Sequence, residues 1–215
     1  MNLAKLYRPS SRPAGRGITI GTPRFYDLSA ALLFRGRRRS YRALVAAAGV
    51  RAGDRVLDVG CGPGYLARML AEATGPEGSV VGIDAAPEMT EYAARRTRHL
   101  TNCRFEPGAA EAIPFPDGTF DVVVSSLVMH HLPEAERARA VADMRRVLRP
   151  GGTLLLADYR PGGGALSRLH ASTRHMRAME RRVSPLEPLV AEAGLTDLAT
   201  ADVPPWLYYV RAVRT

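Results

Sequence analysis

Residues 56–67 contain the feature that most constrains the fold of this chain. They read Val-Leu-Asp-Val-Gly-Cys-Gly-Pro-Gly-Tyr-Leu-Ala, an apolar stretch that leads into alternating glycines and then into a helical pattern. This order predicts a buried strand, a tight turn and a helix, because glycine adopts backbone conformations that other residues avoid. Bare backbone at the end of a strand lets a ligand approach closely, although a purely structural corner produces the same pattern.

Strands and helices alternate without interruption from residue 55 to residue 158. The predicted strands span residues 55–59, 79–83, 103–106, 120–125 and 153–157, and the predicted helices span residues 65–73, 87–100 and 133–148. Such alternation predicts βαβ units. Two further strands, at residues 196–203 and 207–213, could pair as an antiparallel hairpin. We therefore expect an α/β fold that is doubly wound and Rossmann-like. Its seven-stranded, mostly parallel sheet would carry helices on both faces and an antiparallel C-terminal hairpin.

One domain accounts for the 215 residues. Within it we expect an irregular lead-in at 1–24 and a helical cap at 25–54, with its helix over 25–49. A ligand-binding core follows at 55–158, and then a basic substrate-side segment at 159–182 with a helix over 165–182. The last segment, 183–215, holds a closing helix at 185–193 and the last strands. No apolar run approaches the roughly 18–20 residues of a membrane span, and the N-terminus lacks the apolar segment of a secretory signal. We expect a cytoplasmic protein whose two cysteines are reduced.

The net charge of +9 is distributed unevenly along the chain. Residues 1–55 hold 12 Lys/Arg against 2 Asp/Glu, and residues 159–182 hold 6 against 1, whereas residues 56–158 hold 10 against 14. The two basic segments, almost entirely arginine, therefore flank an acidic core. They could attract an anionic acceptor or make peripheral contact with a membrane surface. Solvated helix faces and a codon bias toward arginine would give the same composition.

The spacing of the glycines and two nearby acids narrow the choice of ligand. Glycines 60, 62 and 64 follow G-x-G-x-G, whereas the dinucleotide fingerprint is G-x-G-x-x-G. Asp58 precedes the turn, where a carboxylate suits an ammonium group better than a pyrophosphate. Asp84 follows the second predicted strand directly, where it could accept both hydrogen bonds of a ribose diol or serve the start of the next helix. Together these motifs favour an adenosine-type ligand without a diphosphate.

Four stretches carry a family resemblance. They are V-L-D-V-G-C-G-P-G at 56–64, V-V-G-I-D at 80–84, A-E-A-I-P-F-P-D-G-T-F-D-V-V-V-S-S-L-V-M-H-H-L at 110–132 and R-V-L-R-P-G-G-T-L-L-L-A-D at 146–158. The chain resembles the class I S-adenosylmethionine-dependent methyltransferases, in particular the type 11 group that includes the ubiquinone and menaquinone biosynthesis enzymes. The resemblance covers residues 25–158 well and the remainder loosely. It implies S-adenosylmethionine as the cofactor and methyl transfer as the activity.

The resemblance also implies roles for individual residues. Asp58 would hold the ammonium of the methionine part, Gly60 and Gly62 would bring the cofactor against the backbone, and Asp84 would bind the ribose. The other implied cofactor-binding residues are Cys61 and Gly64 in the turn, Ala85 and Met89 on the adenine side, Ala109, Ala110 and Glu111 at the adenine edge, Ser125 and Ser126 beside the methionine part, and Tyr26 closing over the site.

Ala109 departs from the family pattern. The family usually has an acid after the residue matching Gly108, where it accepts a hydrogen bond from the adenine amino group. Alanine cannot accept that bond, so a neighbouring carbonyl or Glu111 must do so. Otherwise the affinity falls by the value of one hydrogen bond, about 0.5–1.5 kcal/mol.

His130 and His131 are the candidate catalytic residues. They follow the fourth predicted strand, near the expected position of the methyl group, and an imidazole there could take a proton from a hydroxyl or an enolic carbon. Either ring could instead pack the loop before Pro133. No metal site is expected, because His170 and His175 have no Cys or acid at ligand spacing.

The leading hypothesis is O- or C-methylation of a small-molecule or lipid-like acceptor, in quinone, phospholipid or secondary metabolism, by a monomer or homodimer. A protein that binds the cofactor without transferring its methyl group is the alternative. The residues after the fourth strand, Ser125-Ser126-Leu127, lack the Asn/Asp-Pro-Pro-aromatic motif of base-amino methyltransferases, which argues against nucleic acid as partner. The glycine spacing argues against a nicotinamide-dependent oxidoreductase.

Overall fold

The computed structural model describes residues 37–160, 184–205 and 207–215. Its helices are α1 (Arg37–Ala48), α2 (Tyr65–Thr74), α3 (Pro87–Thr97), α4 (Glu134–Val147) and α5 (Glu187–Glu192), with a 3₁₀ turn at Met129–His131. Its strands are β1 (Arg55–Val59), β2 (Ser79–Asp84), β3 (Cys103–Pro107), β4 (Phe120–Ser126), β5 (Leu148–Tyr159), β6 (Thr196–Val203) and β7 (Leu207–Val213). No helix in these ranges is both long and apolar enough to cross a bilayer.

The strands form one seven-stranded sheet in the order β3-β2-β1-β4-β5-β7-β6. Neighbouring strands from β3 to β5 are parallel, and β7 runs antiparallel to both β5 and β6. The predicted fold class is therefore confirmed, including the antiparallel C-terminal hairpin. The chain leaves β1 toward β2 and β3, then returns to place β4 on the other side of β1. This reversal creates a crevice at the carboxyl ends of β1 and β4.

Apolar residues on the two faces of the sheet build two separate layers. Val56 and Leu57 are neighbours in β1, are both fully buried, and belong to different layers because successive strand residues point to opposite faces. The layer with Val56 also contains Leu44 of α1 and Leu70 of α2. The layer with Leu57 contains residues of α4 and α5. Both faces of the sheet are thus covered, as an all-apolar parallel strand requires.

Strand β5 differs from the prediction at its start. We predicted a helix that ends at Leu148 and a strand that begins at Thr153, but the strand begins at Leu148, directly after α4. Leu148 is fully buried and pairs with Phe120, and a bulge then shifts the register so that Val122 pairs with Thr153. Backbone hydrogen bonds between Gly151, Gly152 and Arg214 at the end of the chain hold this stretch extended. The helix predicted over 165–182 and residues 25–36 of the predicted cap helix lie outside the described residues.

Candidate functional site

The glycine turn lies at the carboxyl end of β1, between the ends of β2 and β4. Its backbone is tied to β2, because the N–H groups of Gly60 and Cys61 donate to the carbonyl of Ile83 at 2.8 and 2.9 Å. Gly60 and Gly62 both have positive φ, +72° and +50°. A Cβ on Gly60 would lie 2.2 Å from Val128 Cγ2, whereas a Cβ on Gly62 would meet nothing within 4 Å. Gly60 is therefore required by packing, and Gly62 presents bare backbone on an open side.

Asp58 supplies a buried acid directly beneath this turn. The residue is 1% exposed, and its Oδ2 has no hydrogen-bond partner within the described part of the chain. Burial raises the pKa of Asp58 from 3.8 to about 7. A hydrogen bond from the backbone of Ala67 partly offsets this rise in pKa, whereas the nearby Asp84 carboxylate adds to it. A buried carboxylate oxygen without a partner is costly, so a cation placed there would be favoured.

Asp84 links the end of β2 to the same turn. Its Oδ2 accepts a hydrogen bond from the N–H of Gly62 at 2.9 Å, and its Oδ1 accepts one from the N–H of Ala86, also at 2.9 Å. Burial raises the pKa of Asp84, and these two backbone donors partly offset that effect. Each carboxylate oxygen can accept a further hydrogen bond, so Asp84 can serve the turn, the start of α3 and a ligand hydroxyl together.

A cavity opens beside the turn, and several predicted residues line it. Asp58, Gly60, Cys61, Gly62 and Ser126 all contribute to its wall. The other lining residues come from the turn and α2 (Pro63, Tyr65, Leu66), from the loop after β4 (Leu127), from α1 (Arg37, Ser40, Tyr41) and from β7 (Leu207). The sequence did not single out Ser40, Tyr41, Tyr65 or Leu207 as site residues. Their contribution depends on where α1 and β7 pack, which local patterns do not specify.

Ser125 does not face the cavity. We predicted that Ser125 and Ser126 would both border the methionine part, but only Ser126 lines the cavity. Ser125 is buried, and its hydroxyl donates to the carbonyl of Val59 in the neighbouring strand at 2.9 Å. The alternation of side chains along β4 turns these adjacent serines in opposite directions. The role that the resemblance implies for Ser125 stays a prediction.

The residues predicted for the adenine side lie at the ends of β2 and β3. The N–H of Gly108 donates to the carbonyl of Asp84 at 3.0 Å, which brings the loop with Ala109, Ala110 and Glu111 next to Asp84. The other residues predicted for this side are Ala85, which follows Asp84, and Met89, which is buried in the first turn of α3. Gly64, which we predicted as part of the turn, packs against Phe105 and Ala93. Tyr26 lies outside the described residues.

His130 belongs to a buried hydrogen-bonded cluster after β4. Its Nδ1 lies 2.7 Å from Asp158 Oδ1, and its backbone N–H donates to Asp158 Oδ2 at 3.1 Å. The N–H of Tyr159 also donates to Asp158 Oδ1, at 2.8 Å. His130 is 4% exposed, whereas His131 is partly exposed and its ring centroid lies 4.2 Å from that of His130. Sequence reasoning missed Asp158, although the acid ends the motif L-L-L-A-D in a strand that neighbours β4.

Comparison with known proteins identifies the type of domain. Residues 56–152 match the family described as "Methyltransferase domain". The chain is 39% identical over 147 residues to an uncharacterized 37.1 kDa protein in transposon TN4556 of Streptomyces fradiae. It is 36% identical over 150 residues to the ubiquinone/menaquinone biosynthesis C-methyltransferase UbiE of Ectopseudomonas mendocina. These alignments cover 68% and 67% of the chain but only 41% and 58% of the relatives, so the chain spans about half of their length.

A solved structure shares the fold. The SAM dependent methyltransferase from Aquifex aeolicus superposes with a TM-score of 0.72 at 22% identity, over 90% of this chain and 99% of that one. At this identity the similarity shows the fold alone. The family match covers the glycine turn, Asp84 and both candidate histidines, whereas Asp158 and the cavity walls from α1 and β7 lie outside it.

Proposed function

The chain carries a class I S-adenosylmethionine-dependent methyltransferase domain, and we propose that it methylates a carbon or oxygen of a small-molecule or lipid-like acceptor. When bound, S-adenosylmethionine supplies an activated methyl group on its sulfonium. The protein then needs chiefly to hold the donor, align the acceptor and remove a proton where the acceptor carries one.

Asp58 is the observation that carries this proposal. Its buried Oδ2 has no partner among the described residues, and the residue lines a cavity beside bare glycine backbone. An α-ammonium group would satisfy that oxygen and stabilise its charge, whereas a pyrophosphate would be repelled. S-Adenosylmethionine carries an ammonium group on its adenosine-containing molecule, whereas a nicotinamide dinucleotide carries a pyrophosphate next to its adenosine. The residues present therefore fit S-adenosylmethionine.

Asp84 supports the other half of the same ligand. Its carboxylate is held by the N–H groups of Gly62 and Ala86, which fix both oxygens at the edge of the turn. A fixed carboxylate can accept hydrogen bonds from two adjacent ribose hydroxyls without losing side-chain entropy on binding. We propose that Asp84 binds the ribose, with Ala85 and Met89 on the adenine side.

We propose that the histidines after β4 handle the acceptor proton. Asp158 accepts from Nδ1 of His130, so Nε2 of that ring is the nitrogen left to accept a proton. His131 packs against His130 and is the more exposed of the two. Asp158 acts in this scheme as a positioning residue, which holds the ring of His130 and selects its tautomer.

The acceptor class is proposed from chemistry near the cavity. Leu127, Tyr41 and Leu207 give its wall an apolar and aromatic character. An apolar ring or chain that carries a hydroxyl or an enolic carbon would suit this lining. Quinones, to whose biosynthesis the name of the Ectopseudomonas relative refers, fall into this class, as do phospholipid precursors and secondary metabolites.

A screen of acceptors tests the proposal. The protein is incubated with S-adenosylmethionine and a panel of quinols, phenols, phospholipid precursors and short oligonucleotides, and release of S-adenosylhomocysteine is measured. We expect turnover with an apolar hydroxylated or enolic acceptor and none with oligonucleotides. Tight cofactor binding without S-adenosylhomocysteine from any acceptor would contradict methyl transfer and favour a non-methylating role.

A further inference from the structure

Arg37 lines the same cavity as Asp58 and is held against the glycine turn. Its guanidinium carbon lies 3.8 Å from the centroid of the Tyr65 ring, and Tyr65 is the first residue after the turn. Stacking occupies the flat face of a guanidinium, whereas its N–H donors point outward within its plane. The contact with the Tyr65 ring therefore holds the guanidinium of Arg37 beside the glycine turn.

The packing of α1 places this guanidinium where it is. The Tyr41 and Tyr65 rings lie 5.3 Å apart, and the hydroxyl of Ser40 donates to the carbonyl of Pro204 at 2.8 Å. Leu44 and Ala48, one and two turns further along α1, are fully buried against α2 and the sheet. Since Ser40, Tyr41 and Leu44 anchor one face of the helix, Arg37 belongs to a fixed wall of the cavity.

The cavity wall carries two opposite charges. Among the described residues that line the cavity, Asp58 is the one acid. Its Oδ2 accepts no hydrogen bond from Arg37 or from any other residue in the described ranges. Helix α1 contains no acidic residue, and neither does the first turn of α2. A carboxylate oxygen left open and a guanidinium in the same cavity are complementary to a zwitterion.

We propose that Arg37 binds the α-carboxylate of the cofactor's methionine part while Asp58 binds its α-ammonium. The inference rests on the proposed function and adds to it a cofactor contact from α1. A planar guanidinium suits this role because it forms two parallel hydrogen bonds to a carboxylate. A carboxylate on the acceptor would present the same chemistry to Arg37, so the test must separate the two sources.

Calorimetry with two cofactor analogues, in the absence of any acceptor, separates them. S-Adenosylhomocysteine carries the carboxylate and the ammonium, whereas decarboxylated S-adenosylmethionine lacks the carboxylate and carries two positive charges, the ammonium and the sulfonium. We expect Arg37→Gln to weaken the binding of S-adenosylhomocysteine at least tenfold and not to weaken the binding of the decarboxylated analogue, which a cation can only repel. Arg37→Lys keeps the charge without the planar fork and should give an intermediate loss. Asp58→Asn should lower the affinity for both ligands, because both carry the ammonium.

Arg42→Gln is the matched control, since Arg42 is exposed on the same helix and does not line the cavity. It should bind both analogues as the wild type does, and melting temperatures should confirm that all variants fold. Unchanged affinity of Arg37→Gln for S-adenosylhomocysteine would overturn the proposal, and so would equal losses for both analogues. If the wild-type protein bound neither analogue, the proposed function itself would be contradicted. That outcome differs from the loss of the Arg37 proposal alone, in which the wild type still binds S-adenosylhomocysteine.

Discussion

At the scale of single residues, Asp58 shows a conflict between folding and binding. Burial raises the pKa of this carboxyl from 3.8 to about 7, so its charged form destabilises the folded protein without a ligand. The same charge is what an ammonium group requires. Proteins commonly accept such local costs at functional sites, where a ligand removes them.

The pH dependence of stability follows from this raised pKa. The folded state binds the Asp58 proton more tightly than the unfolded state, so the stability that this group contributes is complete below pH 3.8 and is lost as the pH rises to about 7. We expect Asp58→Asn to melt at the same temperature as the wild type at pH 4 and at a higher temperature at pH 8. Thermal melts without ligand measure this difference. A lower melting temperature of the variant at pH 8 would contradict it.

Cofactor affinity should follow the opposite pH dependence. Below pH 7 the Asp58 carboxyl must lose a proton before it can pair with the ammonium, so affinity should fall by about tenfold per pH unit. Above about pH 8 the ammonium itself loses its proton. Calorimetry of S-adenosylhomocysteine from about pH 5.5 to 9 should therefore show an optimum near pH 7 to 8. In Asp58→Asn the decline on the acid side should disappear.

Asp158→Asn tests the positioning of His130. The substitution preserves size but replaces one of the two oxygens that accept N–H groups, and it removes the charge that selects the Nδ1–H tautomer of His130. General-base catalysis contributes about 10²- to 10⁴-fold, so we expect kcat to fall at least a hundredfold with KM for S-adenosylmethionine unchanged. Steady-state kinetics with an acceptor found in the screen measure both. A variant whose melting temperature falls while kcat is retained would show that the pair only stabilises the loop.

At the scale of elements, the turn between β1 and α2 depends on two glycines for different reasons. A Cβ at Gly60 would collide with Val128 in the loop after β4, whereas a Cβ at Gly62 would project into open space beside the cavity. The first glycine therefore lets two loops pack together. The second leaves room for a ligand at the backbone.

Alanine substitutions at these glycines should separate stability from binding. We expect Gly60→Ala to lower the melting temperature strongly, and Val128→Ala in the same chain to restore part of it because the colliding Cγ atoms are removed. Gly62→Ala should lower the free energy of unfolding only by the strain of its positive φ, about 1–2 kcal/mol. It should nevertheless lower the affinity for S-adenosylhomocysteine markedly. Melting curves and calorimetry on the same samples compare the two. If both variants lost affinity for S-adenosylhomocysteine in the same proportion to their drop in melting temperature, the two glycines would not have separate roles in packing and binding.

At the scale of the whole molecule, the periodicity of the sequence was sufficient to predict the strand and helix order. The apolar strands β1, β2 and β4, the turns with glycine and proline, and the alternation from residue 55 to residue 158 all depend on local chemistry. The start of β5 was missed because it depends on pairing between Leu148 and Phe120 and on hydrogen bonds to Arg214, which lies far along the chain.

The site divides in the same way. Asp58, Gly60, Gly62 and Asp84 lie in or beside one turn, so motif spacing was enough to predict that they lie close together. Asp158 meets His130 only because β4 and β5 are neighbours, and Arg37 lines the cavity only because α1 packs beside α2. Ser125 and Ser126 are adjacent in sequence, but successive side chains of β4 point to opposite sides of the strand. Ser126 therefore lines the cavity, whereas the hydroxyl of Ser125 donates to the carbonyl of Val59. Tertiary placement, rather than residue type, determines these contributions.

Calorimetric binding of S-adenosylmethionine to the wild type and to Asp84→Ala tests the central claim most directly. Asp121→Asn is the matched control, because Asp121 lies near the start of β4, at the opposite end of the sheet, where it pairs with Arg55. We expect the wild type and Asp121→Asn to bind the cofactor with equal affinity and Asp84→Ala, folded by circular dichroism, to show no binding. Unchanged affinity in Asp84→Ala, or preference of the wild type for NAD, would contradict the assignment of this site to S-adenosylmethionine.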